Sequence, residues 1–423
     1  MKQIIKRGSF FTLMFMLLGC LSLYAADNDL ITKQITIHLE KAGTLPDRIG
    51  SSKKYKITNL KIIGEINGTD LRMIREMAGS ISYGNSTDGK LSVLDLSEAK
   101  IVEGGDSYYT DYDNNNNYYT SNDVIGRMAF FGCSGLMSLN LPAGITEIDY
   151  GAFALCSGLT SLTLPAGITS IGSWAFQYCS GLTSLTLPAG ITEISDGAFA
   201  LCNGLTSLTL PAGITSIGHD AFYKCSGLTS LNLPAGITSI GTNAFWNCSG
   251  LTSLNLPAGI TSIGYNAFEG CSGLTSLNLP AGITSIGDYA FRRCSGLTSL
   301  TLPAGITSIG NWAFANCSGL TSIYVYAEKV PKIGSNTFEG VDAKKCTLYV
   351  PMGTRDDYWL SSFGDYFENI VEFDVTGIDK TTTSTDVEEV ARYSVNGQRL
   401  SAPTKGLNIV KYSNGSVKKV AIR

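Results

Sequence analysis

Residues 159–181 read LTSLTLPAGITSIGSWAFQYCSG, and the next stretch reads almost the same again. From Leu136 to Gly319, eight copies of this 23-residue unit stand head to tail without a break. Within the unit, LTSLTL alternates side chains outward and inward as a short strand does, and Pro165 ends it because proline has no N–H to give to a ladder. Gly167 permits a corner, ITSI reads as a second short strand, and Gly172 permits a second corner. AFxxC then turns Phe176 and Cys179 inward. One coil cannot bury its own apolar edge, so neighbouring coils must stack Leu on Leu, Ile on Ile and Phe on Phe along one axis. At about 4.8 Å per coil, ten or eleven coils make a four-sided β-rich solenoid on the order of 50 Å long.

A period of 20 to 29 residues with an L-x-x-L-x-L core is the signature of leucine-rich repeats. Worn copies flank the regular ones. Leu91-Ser-Val-Leu-Asp-Leu96 matches LTSLTL, and Ile125 to Cys133 matches the rest of a unit, with an insertion from Glu103 to Asp123 between them. On the other side, Leu320 to Val341 is a degenerate copy, and Leu348 to Gly353 begins a last strand and corner. Tyr358, Trp359, Phe363, Tyr366 and Phe367 are expected to cover the exposed end of the core, as a terminal cap must.

The domain plan follows. Lys2, Lys6 and Arg7 precede an apolar run from Phe10 to Leu23 and small residues at Ala25 and Ala26, so residues 1–26 read as an export signal. Leu17-Leu-Gly-Cys20 resembles the bacterial lipobox, which makes Cys20 a candidate for lipidation, with cleavage near Ala25/Ala26 as the alternative. No later stretch approaches the roughly 20 apolar residues of a spanning helix, so no transmembrane span is expected in the mature chain. Residues 27–90 are expected to form a small α+β capping domain, with strands over Gln34–Leu39 and Ile57–Ile63 and a helix over Thr69–Met77 capped by Thr69. Residues 91–373 hold the solenoid and its C-terminal cap. Residues 374–423 hold a Thr-rich linker and a small all-β tail of three strands, around Val390–Val395, Gly406–Tyr412 and Val417–Ile422. Asn396-Gly397 and Asn414-Gly415 are turn signals between those strands.

The pattern LxxLxLPxGIxxIGxxAFxxCxxL, carried from residue 91 to about 371, resembles the BspA-type leucine-rich repeat proteins, surface proteins of anaerobic Gram-negative bacteria and some protists. KITNLKIIGEINGTDLRMIREMAG is similar to the domain that precedes such arrays in gut anaerobes, and the last 31 residues resemble C-terminal domains of surface-exported proteins, some of which are sorting signals. The resemblance implies adhesion to host matrix proteins or to other bacteria. It transfers no binding residues, because the shared motif is structural.

Composition narrows the chemistry. Only 16% of residues are charged and the formal net charge is -4, with no Lys/Arg cluster, which argues against a nucleic-acid partner. Of the eleven cysteines, nine, from Cys133 to Cys317, recur at one position of the unit and form a single axial ladder. Equivalent side chains pointing the same way are poorly placed for disulfides, and no second ligand joins each one for zinc, so free buried thiols are expected. The two histidines, His38 and His219, lack a companion nucleophile, so no enzyme activity, cofactor or metal is expected. In the insertion, Asp111, Asp113 and Asn115 alternate as in a calcium loop, but the Gly and closing Glu of an EF-hand are missing, and a mobile polar loop is expected.

Comparing the copies with one another separates scaffold from candidate site. The Leu, Pro, Ile, Ala, Phe and Cys positions barely change, while the two residues before Ala-Phe and the two after Phe vary. There stand Tyr150, Trp174, Tyr178, His219, Tyr223, Trp246, Tyr265, Tyr289, Arg292, Arg293 and Trp312. Trp, Tyr and Arg dominate interface energetics, so this ridge is the candidate binding surface, set against simple drift of corner loops. A protein ligand, a host matrix protein or a bacterial surface protein, is favoured over a glycan; a spacer without a specific ligand is the third reading.

Overall fold

The computed structural model describes residues 29–82, 85–112, 114–375, 389–394, 399–400, 402–412 and 417–422. The export segment with Cys20, Asp113 and the turn signals at 396–397 and 414–415 lie outside them. The chain divides into two units, Met1–Phe373 and Asp374–Arg423.

The first unit is a parallel β-solenoid of about 15 turns. Successive LTSLTL segments pair residue for residue, Leu94 with Leu139 and Leu139 with Leu162, and later Leu277 with Leu300. The ITSI segments form a second ladder, Ile148 with Ile171 and Ile286 with Ile309. In-register pairing repeats the alternation, so Leu162, Ile168 and Ile171 face in while Ser161 and Thr163 face out. The exposed Thr just before the strand has a structural use: Thr252 Oγ1 donates to the carbonyl of Thr229 (3.2 Å), and Thr275 Oγ1 to that of Thr252 (3.3 Å). Phe rings stack through the interior from Phe130 to Phe338, with neighbouring centroids such as Phe222–Phe245 and Phe245–Phe268 at 5.1 and 5.2 Å. Nine cysteines of the ladder and Cys346 are free and buried. From Cys156 to Cys317 each thiol donates to the Phe carbonyl of the preceding coil, as Cys248 does to Phe222 (3.0 Å).

The first-face ladder outruns the repeats. Ile35–Leu39 pairs in parallel with Asn59–Ile66, which pairs with Val93–Ile101, so residues ahead of the array supply rungs of the same sheet. The helix between them is Gly68–Met77, and its N-cap is Asn67, not Thr69. The Asn67 side chain accepts the Thr69 N–H (3.1 Å) while Asp70 accepts that of Asn67 (3.0 Å), a reciprocal capping box that Thr69, two residues further on and already inside the helix, cannot make. Buried Asp70 also accepts the Leu45 N–H (2.8 Å).

That helix closes the N-terminal end. Arg75, fully buried, donates to the carbonyls of Ala129 (3.0 Å) and Phe131 (3.1 Å), and the Tyr108 hydroxyl donates to that of Arg127 (2.8 Å). These three carbonyls occupy the places that, in every later coil, accept from the coil before. The insertion is not a mobile loop: Gly104–Asp111 and Asn116–Thr120 form an antiparallel hairpin, because Tyr108 and Tyr109 are buried and anchor it. At the other end Tyr358, Phe363 and Phe367 are buried around Phe338 as expected of a cap, and Tyr366 packs beside them. Trp359 does not join them: it is 48% exposed, one residue beyond Tyr358 on the short helix Arg355–Trp359 and so rotated away from the core.

The second unit is a four-stranded antiparallel sheet, in the order Arg399–Leu400, Glu389–Ser394, Gly406–Tyr412, Val417–Ile422. Arg392, buried there, is held by Glu389 (2.6 Å).

Candidate functional site

The variable residues sit on the third side of each coil, and the backbone there explains which residue types are easy to place. Along x-x-Ala-Phe-x-x, alternate amides point to the next coil: Trp174, Phe176 and Tyr178 donate to the carbonyls of Asp196, Ala198 and Ala200, each at 2.9 Å. Directing N–H groups this way puts the second and fourth variable positions in the left-handed region. Trp174, Tyr178, Lys224, Tyr289, Arg293 and Trp312 have φ of 60, 59, 57, 59, 61 and 57°. Gly197 and Asn247 meet the same demand cheaply, whereas other L-residues pay roughly 1–2 kcal/mol each.

Several ridge residues come together across the coils. Tyr223 and Trp246 stack with centroids 4.8 Å apart, and the Lys224 ammonium lies 5.3 Å from the Trp246 ring. Trp246 Nε1 donates to Glu269 (3.2 Å), whose other carboxylate oxygen accepts from Arg292 (3.3 Å). Arg292 stands 5.4 Å from the ring of Tyr289 and 5.6 Å from that of Trp312, and Tyr265 meets Tyr289 edge to face at 5.6 Å. Glu269 is 6% exposed, so it acts as the buried clasp between an indole and a guanidinium. A continuous run therefore joins Tyr223 to Trp312 over five coils.

Other candidates stand apart. Trp174 lies flat on the next coil, so close that a Cβ on Gly197 would fall 2.1 Å from its ring. The small residues Gly197 and Ala200 separate it from Tyr223. Tyr150 packs under Arg127 (4.1 Å), which also faces Tyr118 of the hairpin (5.6 Å). Tyr178, Tyr265, His219 and Arg293 are exposed, and the remaining candidates are half-buried. His219 serves the backbone: its N–H donates to Asp196 (2.7 Å), and its Nδ1 accepts the Thr242 N–H (2.9 Å). Asp288 and Asn311 repeat the arrangement, with the Asn311 N–H on Asp288 (2.7 Å). In two short runs, Asp196–His219 and Asp288–Asn311, the first variable position thus bonds through its side chain to the next coil.

Sequence comparison of the copies missed a second aromatic group. Tyr324 and Tyr349, on the outer side of the first-face ladder in register with Thr301, stack at 4.4 Å, with Phe373 edge-on to Tyr324 (5.8 Å). The signal was there in IYVY and LYV, where tyrosines replace the outward Thr or Asn of the regular units.

Burial sets the state of the thiols. It pushes Cys133 up to about 11 and Cys225, Cys271 and Cys317 up to about 12, so they are protonated and unreactive at neutral pH. Among the described residues no group of three or more His, Cys, Asp or Glu is arranged to hold a metal ion, and no helix is long and apolar enough to cross a membrane.

A family model described as a BspA-type leucine-rich repeat region of six copies matches residues 107–229 and again 215–348, more than half the chain. The chain belongs to the BspA-type leucine-rich repeat family. Solenoids of this family are typically non-enzymatic. No curated protein matches the chain. Solved structures similar to it include a leucine-rich repeat protein from Bacteroides ovatus ATCC 8483, 24% identical, covering 60% of this chain and 82% of that one, with a TM-score of 0.36. A leucine-rich repeat protein of T. pallidum is 34% identical over 38% of this chain and 77% of its own, with a TM-score of 0.36. A leucine-rich cell surface protein from Faecalibacterium prausnitzii A2-165 is 25% identical over 69% and 87%, with a TM-score of 0.33.

Proposed function

We propose that this BspA-type chain is exported to the cell surface and binds a protein ligand, a matrix protein of a host or a surface protein of another bacterium, through the ridge from Tyr223 to Trp312. One observation carries the reading. The left-handed positions of the array accept Gly and Asn at little cost, and several copies use them, yet Tyr289 and Trp312 stand there and join Trp246 and Arg292 in one surface. Large amphipathic rings and guanidinium groups held rigid by stacking are the groups that concentrate binding energy in protein interfaces. On the first face the Thr that opens the strand in several coils has its hydroxyl on its own backbone, and the outward Ser, Thr and Asn repeat almost unchanged from coil to coil, which gives that face less with which to discriminate. Export rests on Lys2, Lys6, Arg7 and the apolar run that follows, and lipidation at Cys20 is one way the chain is retained.

The test is binding of the purified full chain to a panel of immobilised extracellular-matrix proteins, beside a glycan array. The expected result is binding to a matrix protein that falls at least tenfold in the triple variant Trp174→Ala, Trp246→Ala, Trp312→Ala, with circular dichroism unchanged; a tenfold loss is only about 1.4 kcal/mol, less than one aromatic hot spot contributes. Unchanged binding by a folded triple variant would refute the ridge, and binding confined to the glycan array would refute the ligand class.

A further inference from the structure

Beside the ridge runs a groove of about 570 Å3, with Lys224 at one end and Arg293 at the other, three coils apart. Its wall is a row of hydroxyls, Ser226, Ser249, Ser272 and Ser295, one from each coil, and no carboxylate lines it. Asn247 and Gly270 occupy the places between the two cations. Among the described residues neither Lys224 nor Arg293 has an ion-pair partner, whereas Arg292, next in sequence, is held by Glu269. Both cations have left-handed backbone, φ 57 and 61°, at a position where the neighbouring coils carry Asn247, Gly270 and Asn316. Long cationic side chains therefore stand where the fold favours Asn or Gly, at the two ends of a polar trough.

We propose that this groove binds a stretch of acidic polysaccharide lying along the solenoid axis, with carboxylate or sulfate groups on Lys224 and Arg293 and sugar hydroxyls on the serine row. The spacing suits such a chain: the cations are three coil steps, about 14 Å, apart, and one hydroxyl is offered per step of about 4.8 Å, comparable with the length of a sugar unit. An extended acidic peptide fits less well, because it is recognised chiefly through main-chain hydrogen bonds. Most of the amides along the groove are already engaged. The Lys224, Asn247 and Gly270 amides donate to the next coil (2.7, 2.7 and 2.8 Å), and the Ser226 and Ser272 amides donate to the carbonyls of Lys224 and Gly270, each at 2.8 Å. The side chains on offer are serine hydroxyls, the amides of Asn203 and Asn247 and two cations, which is the chemistry of a substituted glycan. The groove adjoins the protein-binding ridge at Lys224, whose ammonium lies 5.4 Å from the Tyr223 ring and 5.3 Å from that of Trp246, while among the described residues Arg293 has no such contact with a ridge ring.

The experiment measures binding of the purified full chain to polygalacturonate at low and moderate salt, with neutral dextran and polyglutamate as the other probes. The test variant is Lys224→Asn with Arg293→Asn, a residue that the array itself carries at this position in Asn247 and Asn316, so the fold is kept. Expected are saturable, salt-weakened binding to polygalacturonate, none to dextran, weaker binding to polyglutamate, and a loss of about tenfold in the double variant, the effect of two partly exposed ion pairs. Trp312→Ala, which removes a ridge ring that packs on Arg292 and weakens protein binding, should leave this binding untouched, which separates failure of the groove from failure of the ridge. Full affinity in the double variant overturns the site, and polyglutamate binding as tightly as polygalacturonate overturns the ligand class.

Discussion

Gly197→Ala is the sharpest probe of how the ridge is built. Gly197 has φ +60°, and an added Cβ would lie 2.1 Å from Cε3 of Trp174. Two penalties add. An alanine in the left-handed region costs about 1 kcal/mol, and displacing the indole from its seat costs about 1–3 kcal/mol more, for a total of about 2–4. In a Trp174→Ala background the second penalty vanishes and only about 1 kcal/mol remains. Urea unfolding of the four proteins of this cycle, compared at constant m, gives each difference from the midpoints. The expected coupling between the two sites is about 1–3 kcal/mol. Additivity within about 0.5 kcal/mol, the behaviour of residues that do not touch, would mean that Trp174 does not rest on the next coil.

Arg75→Leu removes the donor that closes the first AFxxC coil and leaves the carbonyl of Ala129 buried without a partner, while that of Phe131 keeps the Ser80 hydroxyl, which costs about 1–3 kcal/mol locally; hydrogen exchange should accelerate over residues 126–133 and stay unchanged over residues 260–320. Thiol reagents should find no reactive cysteine between Cys133 and Cys346 in the folded chain at pH 8 and all ten after denaturation. The same thiols make the fold sensitive to alkali: with folded values raised to about 12 at Cys225, Cys271 and Cys317, the unfolded chain releases protons above about pH 9 while the folded chain keeps them. Stability is therefore full below that pH and falls as pH rises toward 12, by up to about 1.4 kcal/mol per unit per thiol, and the urea midpoint measured from pH 7 to 11 should drop.

Much of this was legible in LTSLTLPAGITSIGSWAFQYCSG because an axial stack makes every copy report the same environment. Leu162, Ile171, Phe176 and Cys179 each recur unchanged, and each lies inside. The variable positions were legible as variable, but their left-handed backbone was not read, although Gly151, Gly197, Asn243 and Asn266 mark it at one of them. Which of them touch was beyond the sequence, since Trp246 reaches Arg292 only through Glu269, a side chain with no signal of its own before the coils are stacked. The rungs Ile35–Leu39 and Asn59–Ile66 were seen as strands but not as part of the ladder, because their connections differ in length from the 23-residue period. The hairpin at 104–120 was hidden by its polar composition, and only the burial of Tyr108 and Tyr109 against the helix end explains it.

The central claim, that the ridge and not the Thr face meets a protein partner, is tested most directly by hydroxyl-radical footprinting of the full chain with and without the matrix protein it binds. Oxidation of Tyr and Trp side chains reads the two surfaces in one experiment. The account predicts protection of Tyr265, Tyr289 and Trp312, with Tyr324 and Tyr349 on the sheet face and Tyr112 in the hairpin oxidised as before. Protection of Tyr324 and Tyr349 with an unchanged ridge would contradict it.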